Sequence, residues 1–469
     1  MKVSPNYENI RNQQIKGMFI HFIAIGGSVM HQLAIALKRK GYTVSGSDDE
    51  IFEPASTNLA NEGLLPKQLG WFPDKLGSGI DAIILGMHAR QDNPELLRAT
   101  LLGLKIYSFP EYIFEESKQK TRVAIGGSHG KTTTTAMIMH VLQSAGTNYD
   151  YLIGAQLEGF SQSVKITTAP LIICEADEYP ASSIEPRPKF LFLHPHIAVL
   201  TGIAWDHINV FPTFDVYLEQ FERFIQSILP GGVLIFNHLD NVLRGLIESK
   251  SRSDIKYVPY SLPTYFIEQG KTEVIIDGEK SRLKVFGNHN LLNLNAAWYV
   301  CRELKISSST FIKSISTFSG ASKRLELLAS NETCNIYRDF AHAPSKVMAT
   351  IAAINQQFPT RKLVAILELH TYSSLNANFM TEYQFTMEKA DEAIVFFSAH
   401  SVHLKRMPQL PLDTIIAGFS KPGLLIFTEK NALEFWLTQQ EYSNKNLVLM
   451  SSGTYDGLDL RNLLSKLKF

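Results

Sequence analysis

The feature that most constrains this chain is the stretch 123–135, where a short apolar run enters Gly126, Gly127, Ser128, His129, Gly130, Lys131 and Thr132 ahead of a helix-forming segment. The order is strand, glycine loop, helix N-terminus. Backbone N–H groups of such a loop point at a common centre, the helix dipole favours anions there, and a lysine adds a full positive charge. That arrangement suits a polyphosphate, and ATP is the working ligand. A full Walker pattern needs glycine where Ile125 stands, so the half-motif Gly127-x-x-Gly130-Lys131-Thr132 remains. A plain glycine turn fits the bare pattern too; the strand before it and the helix after it favour the phosphate reading. In a loop of this kind Lys131 reaches the β/γ-phosphates and the Thr132 hydroxyl ligates Mg²⁺.

At about 150 residues per domain, the 469 residues predict about three domains. A formal net charge of zero gives no sequence-wide case for nucleic acid or an acidic membrane. Cys174, Cys301 and Cys334 match no zinc spacing and read as core thiols in a reducing compartment. The apolar run 18–25 is too short to span a bilayer and stops at Gly26 and Gly27, so it reads as a buried strand of a cytoplasmic protein. No signal of oligomeric state is legible.

In chain order, residues 19–25, 29–40 and 42–45 read as strand, helix and strand around the Gly26, Gly27, Ser28 turn, with Asp48 and Asp49 some 20 positions on. This βαβ opening keeps a nicotinamide-dependent oxidoreductase in play, although Gly-x-Gly-x-x-Gly is absent. Further strands are expected at 82–85 and 104–107, and the first domain at 1–120. In the second, 121–320, the apolar run 170–174 reads as a buried parallel strand ending at Glu175, Asp177 and Glu178. Strand 197–201 leads to Asp206 and His207. Carboxylates and an imidazole at carboxyl ends of one sheet are placed as Mg²⁺ ligands or water-orienting groups. A helix is expected at 215–229, a small antiparallel insertion over 256–285, and a helix at 291–304 that presents Asn290 and Asn293 on one face. Paired amides can read an adenine edge. The third domain, 321–469, alternates strands with helices at 345–355, 383–390 and 432–439, which argues a further α/β sheet.

Five motifs in order, Gly127-Ser128-His129-Gly130-Lys131-Thr132-Thr133, Glu175-Ala176-Asp177-Glu178-Tyr179, Asp206-His207, Gly287-Asn288-His289-Asn290-x-x-Asn293 and Asp339-Phe340-Ala341-His342-x-Pro344, resemble those of the Mur ligases over residues 18–465. The resemblance implies an α/β protein of three domains: a Rossmann-like UDP-sugar domain, a central P-loop-type ATPase domain, and a Rossmann-like domain bringing an amino-acid or peptide acceptor. It implies ATP-dependent amide formation on UDP-N-acetylmuramate through an acyl phosphate. Thr132 and Glu175 would hold one Mg²⁺, Glu175 and His207 a second. Asn290 and Asn293 would meet adenine, Asp339 the ribose, Arg324 and His342 the phosphates, and Gly26, Gly27 and Ser28 the UDP diphosphate.

Two departures stand out. Several Mur ligases carry a carbamylated lysine after the Asp-His motif, and residues 208–229 contain no lysine. The family's usual second histidine in the last motif is Ala343. Glu178-Tyr179, Arg187-Pro188-Lys189-Phe190, Arg324-Leu325-Glu326 and Phe340-Ala341-His342 resemble the ligases that add L-Ala-γ-D-Glu-meso-diaminopimelate, whereas His370-Thr371-Tyr372-Ser373 resembles the L-alanine-adding ones. The tripeptide is the expected acceptor, L-alanine the alternative. Lys346, Arg361, Lys405 and Arg406 are candidate partners for acceptor carboxylates.

Overall fold

Most short apolar runs of this α/β chain become parallel strands, because a sheet covered by helices leaves no face that needs polar residues. A computed structural model describes residues 17–154, 157, 159–160, 162–205, 210–320 and 324–468. Contacts divide it into two compact units, the first being 1–120 with 162–169 and 179–193.

In the first unit four parallel strands run in the order Thr43–Ser47, Phe19–Ile23, Ala82–Leu85, Ile106–Ser108. Ile20, Phe22 and Ile23 are fully buried. Helix Met30–Arg39 turns Met30, Leu33, Ala34 and Leu37 inward, and its last turn carries Lys38 and Arg39, the favourable sign for a helix C-terminus. Helix Pro94–Leu101 is opened by Asn93, whose side chain accepts from Glu95 N and Leu96 N. Helix Phe109–Ser117 starts from a Ser108–Glu111 capping box. The Gly26, Gly27, Ser28 turn follows the central strand, and Gly26 N donates to Asp48 Oδ2 at 2.7 Å. Asp48 therefore faces back onto the turn.

The second unit holds the remaining sheets. Within it the main parallel sheet runs Lys256–Tyr260, Val233–Asn237, Ile197–Leu200, Thr121–Gly126, Leu171–Glu175, Asp150–Leu152. Only Thr264–Glu268, Lys271–Ile276 and Glu279–Leu283 form the expected antiparallel insertion. Residues 256–260 instead pair in parallel with Val233–Asn237, and Val258 and Tyr260 join the core beneath that sheet. Helices Lys131–Ser144 and Asn288–Glu303 share this core through Met137, Ile138, Val141, Leu294, Ala297 and Trp298, which fixes the N-terminus of the first against the side of the second.

A further sheet runs Glu326–Ser330, Asn335–Asp339, Lys445–Met450, Lys362–Glu368, Glu392–Phe396, Leu425–Phe427, antiparallel only at its first strand. The helix expected at 383–390 is absent. A 3₁₀ segment, Ala377–Tyr383, precedes turns there, because Tyr383 is stacked on Phe419 at 5.0 Å and Phe385 adopts a left-handed φ of 61° that an α-helix cannot contain. The three cysteines are buried and unbonded, and burial pushes the Cys174 thiol up to about 12. No helix among the described residues is long and apolar enough to cross a membrane.

Candidate active site

Gly130 is the residue that lets the phosphate loop close onto its helix. It caps Lys131–Ser144 with φ 82°, and a Cβ there would stand 2.2 Å from Asn293 Oδ1. Only glycine meets both demands without strain. Gly127 repeats the device at φ 122°, where a Cβ would sit 2.2 Å from Thr201 Oγ1. Around this loop a cleft of about 350 Å³ is lined by Ser128, His129, Gly130, Lys131, Thr132 and Thr133 on one side and by Glu175, Asn290, Asn293, Arg324 and Asp339 on others. Sequence-distant candidates thus meet around one space.

Their partners define what each can do. Lys131 Nζ donates to Gly127 O and to Glu178 Oε2, both at 2.7 Å. Burial alone would lower its pKa, but Glu178, Asp177 and Glu175 together hold the ammonium above the usual lysine value. Thr132 Oγ1 donates to Glu175 Oε1 at 2.7 Å, and Gly154 N donates to the other oxygen at 2.8 Å. Asn290 Nδ2 donates to Phe286 O, fixing its orientation. Arg324 lies over the Phe340 ring at 4.7 Å; burial lowers its pKa, opposed by Asp339 and Glu175. Asp339 accepts from Leu325 N at 2.5 Å and Ala341 N at 2.7 Å, so the carboxylate pins the Arg324 loop as well as lining the cleft.

His342, expected at the phosphates, is not among the residues that line this cleft. Ala341 lines the cleft at that point, while His342 Nδ1 is 2.8 Å from Phe340 O and Tyr383 donates to the His342 carbonyl. The imidazole is engaged with its own loop. His207 and Asp206 lie outside the described residues. Gly26, Gly27 and Ser28 belong to the first unit and do not line this cleft.

Several lining residues carry no motif: Thr201, Asn237, Asp240, Lys346 and Thr350. Asp240 accepts from Ile203 N and caps the helix Asn241–Ser249 through Leu243 N, and Asn237 Nδ2 donates to Thr201 O. Thr201, Asn237 and Asp240 lie at or just past the carboxyl end of a strand, where doubly wound sheets collect ligands, and Lys346 and Thr350 lie on helix Pro344–Gln357. His289 lies within a quoted motif without an assigned role; burial and Arg324 hold its imidazole below the ordinary value against Asp339. Among the four cationic acceptor candidates, Lys346 lines the cleft. Arg361 lies just before the amino end of the interior strand Lys362–Glu368, tied to Glu332 O and Asn446.

Residues 19–121 match the catalytic domain of the Mur ligase family, and residues 125–301 match the Mur ligase middle domain. A UDP-N-acetylmuramate–L-alanine ligase of Carboxydothermus hydrogenoformans is 30% identical over 429 residues, covering 89% of this chain and 90% of its own. The chain belongs to the Mur ligase family. It is an ATP-dependent carbon–nitrogen ligase of peptidoglycan synthesis, which removes the nicotinamide alternative. The ligase shares its three-domain α/β fold with a UDP-N-acetylmuramate–alanine ligase of Thermotoga maritima, at TM-score 0.68 and 20% identity over 96% of this chain and 98% of that one. It is also similar to the UDP-N-acetylmuramate:L-alanyl-gamma-D-glutamyl-meso-diaminopimelate ligase of Neisseria meningitides, at TM-score 0.58 and 26% identity over 64% of this chain and 98% of that one.

Proposed function

We propose that this ligase joins the carboxylate of UDP-N-acetylmuramate to the amine of L-alanine in the cytoplasm, with ATP as phosphoryl donor. The observation that carries the ATP part is the convergence of Lys131, Thr132, Glu175, Asn290, Asn293 and Arg324 on one cleft of about 350 Å³, a volume suited to a nucleotide. Residues 1–120 would hold the UDP-sugar, with Gly26, Gly27 and Ser28 against its diphosphate. Residues 121–320 would hold ATP, and 321–469 would bring the acceptor.

The donor set fits Mg²⁺. Thr132 Oγ1 and the Glu175 carboxylate are hard oxygens already 2.7 Å apart, and the described residues contain no cluster of three or more acidic, His or Cys ligands. A sparse oxygen set is what Mg²⁺ takes, since it keeps waters and substrate phosphates. When bound it supplies charge stabilisation at the β- and γ-phosphates. Lys131 and Arg324 supply fixed positive charge on the transferring group, and the Asn290 and Asn293 amides offer an adenine edge its partners. The muramate carboxylate oxygen attacks the γ-phosphorus and ADP leaves. The acceptor amine then attacks the acyl carbon, phosphate leaves, and the amine gives up a proton.

L-Alanine is preferred over the tripeptide on the strength of the curated relative, whose name states that acceptor. The tripeptide remains a second reading, favoured by the Arg187-Pro188-Lys189-Phe190 motif and by the likeness to the Neisseria enzyme. Both acceptors present the amine of an L-alanine residue. They differ in the carboxylates beyond it, which residues at the carboxyl ends of the parallel strands Lys362–Glu368 and Lys445–Met450 would discriminate: His370 and Ser451 lie against the buried Glu368, and Ser401 Oγ is 3.4 Å from His370 Nδ1. The test is phosphate release from ATP with UDP-N-acetylmuramate and either acceptor. A kcat/KM advantage for L-alanine of about tenfold or more, some 1.4 kcal/mol, supports the proposal. The same advantage for the tripeptide reverses it, and release needing neither substrate removes both readings.

A further inference from the structure

One buried polar chain begins and ends in the phosphate loop and runs through Tyr217, which has no role in the site described above. Glu178 is 1% exposed. Its Oε2 accepts from Lys131 Nζ at 2.7 Å, and its Oε1 accepts from the Tyr217 hydroxyl at 3.2 Å. That hydroxyl is 2.8 Å from Ser128 Oγ, which itself accepts from Ala204 N at 2.9 Å. Tyr217 is fully buried on helix Phe214–Ser227, wedged between Phe221 and Phe211 with ring centroids 5.1 and 5.3 Å away. The helix therefore presents one polar atom of a packed aromatic ring to the loop's counter-ion.

The lysine has three donors, and two are committed to Gly127 O and Glu178. An ammonium that must reach β- and γ-phosphate oxygens has to loosen one of these contacts. The carboxylate it leaves is buried, and a buried carboxylate that loses a charged donor depends on the donors that remain. Tyr217 is one such donor, and it is not among the residues lining the cleft.

We propose that Glu178 parks Lys131 in the nucleotide-free loop and that Tyr217 is a positioning residue for the transfer of Lys131 to ATP, holding Glu178 once the lysine shifts. This rests on the ATP reading of the cleft. The competition has a sign. Weakening the counter-ion should favour nucleotide, whereas removing the hydroxyl leaves Glu178 more dependent on Lys131 and should disfavour it.

The experiment is calorimetric binding of ADP and of ATP to the full chain, with KM for ATP and kcat measured alongside. Glu178→Gln should tighten nucleotide binding about three- to tenfold, without a matching gain in kcat. Tyr217→Phe, which keeps the ring and its packing, should weaken binding and raise KM for ATP about three- to tenfold. Because Tyr217 acts through Glu178, the double variant should bind like Glu178→Gln alone. Unchanged affinity in Tyr217→Phe, weaker binding in Glu178→Gln, or strictly additive effects would overturn the inference while leaving the ATP reading intact. Should Glu178→Gln fail to fold, the direction of the Tyr217→Phe shift decides. A wild-type protein that binds neither nucleotide would remove the ATP reading, and this inference with it.

Discussion

Replacing Lys131 by methionine tests the phosphate loop and its buried counter-ion together. The side chain is 13% exposed and its partner Glu178 1% exposed, at a separation of 2.7 Å. Removing one member of a buried ion pair costs about 3–5 kcal/mol, because the other charge stays in the interior without compensation. Here the Tyr217 hydroxyl still donates to Glu178, and a hydrogen bond to a charged group contributes about 1.5–3 kcal/mol. The expected loss is therefore at the lower end, about 3 kcal/mol. With roughly 2–4 °C per kcal/mol in a domain of this class, Lys131→Met should lower the unfolding midpoint by roughly 6–12 °C.

Lys131→Met/Glu178→Gln removes the stranded charge and should recover at least half of that shift. Turnover separates the two effects. Both variants should lose about 10²-fold or more in the chemical step, since neither has the cation that stabilises the transferring phosphoryl group. Thermal unfolding and ATP-dependent phosphate release on the same preparations read the two quantities. A single variant as stable as the wild type, or a double variant no more stable than the single, would refute the buried-pair account. Near-normal turnover in folded Lys131→Met would refute the phosphate assignment itself.

Other expectations follow from individual contacts. Gly130→Ala forces a left-handed alanine at φ 82° and drives a Cβ to 2.2 Å from Asn293 Oδ1, so nucleotide affinity should fall at least about tenfold by calorimetry; wild-type affinity would refute the close approach. Bicarbonate should leave turnover unchanged in an activity assay, because residues 208–229 offer no lysine to carbamylate. In the first unit, burial would raise the pKa of Glu95, but hydrogen bonds from His21 and Phe72 N hold it below the ordinary value. A depressed folded pKa contributes stability that is complete above the unfolded value of about 4.3 and is lost as pH falls through the folded one, so Glu95→Gln should flatten the fall in thermal midpoint between about pH 5 and 3.

What was legible in the sequence followed local physics. The run Ala82–Leu85 is recovered with its bounds because four buried apolar residues between turn residues have few alternatives to a parallel strand. Helix Phe109–Ser117 is signalled by the Ser108–Glu111 capping box alone, because Glu115, Glu116 and Lys118 at its end also suit the charged edge of a domain. Pairing was illegible: nothing local to residues 256–260 distinguishes an insertion strand from the edge of the main sheet, because the choice is made by Val233–Asn237 across the ladder. His342 shows the same limit at the site. Its motif reads as a phosphate contact, and only the folded loop shows that its Nδ1 lies 2.8 Å from Phe340 O while Ala341 lines the cleft.

The five motifs stand together in one chain for a reason that no single motif contains. Four consecutive residues of the loop are met by three segments: His129 by Ser345 at 2.7 Å, Gly130 by Asn293, Lys131 by Glu178 and Thr132 by Glu175. These partners fix the side chains of His129, Lys131 and Thr132 around the cleft, while Asn293 packs against the backbone at Gly130. Two of the partners come from the strand end after Leu171–Glu175, one from helix Asn288–Glu303 and one from helix Pro344–Gln357. A change at any partner therefore acts on the phosphate loop without touching its sequence. Tyr217 extends this by one step, because it reaches Lys131 only through Glu178 and has no place in any of the motifs.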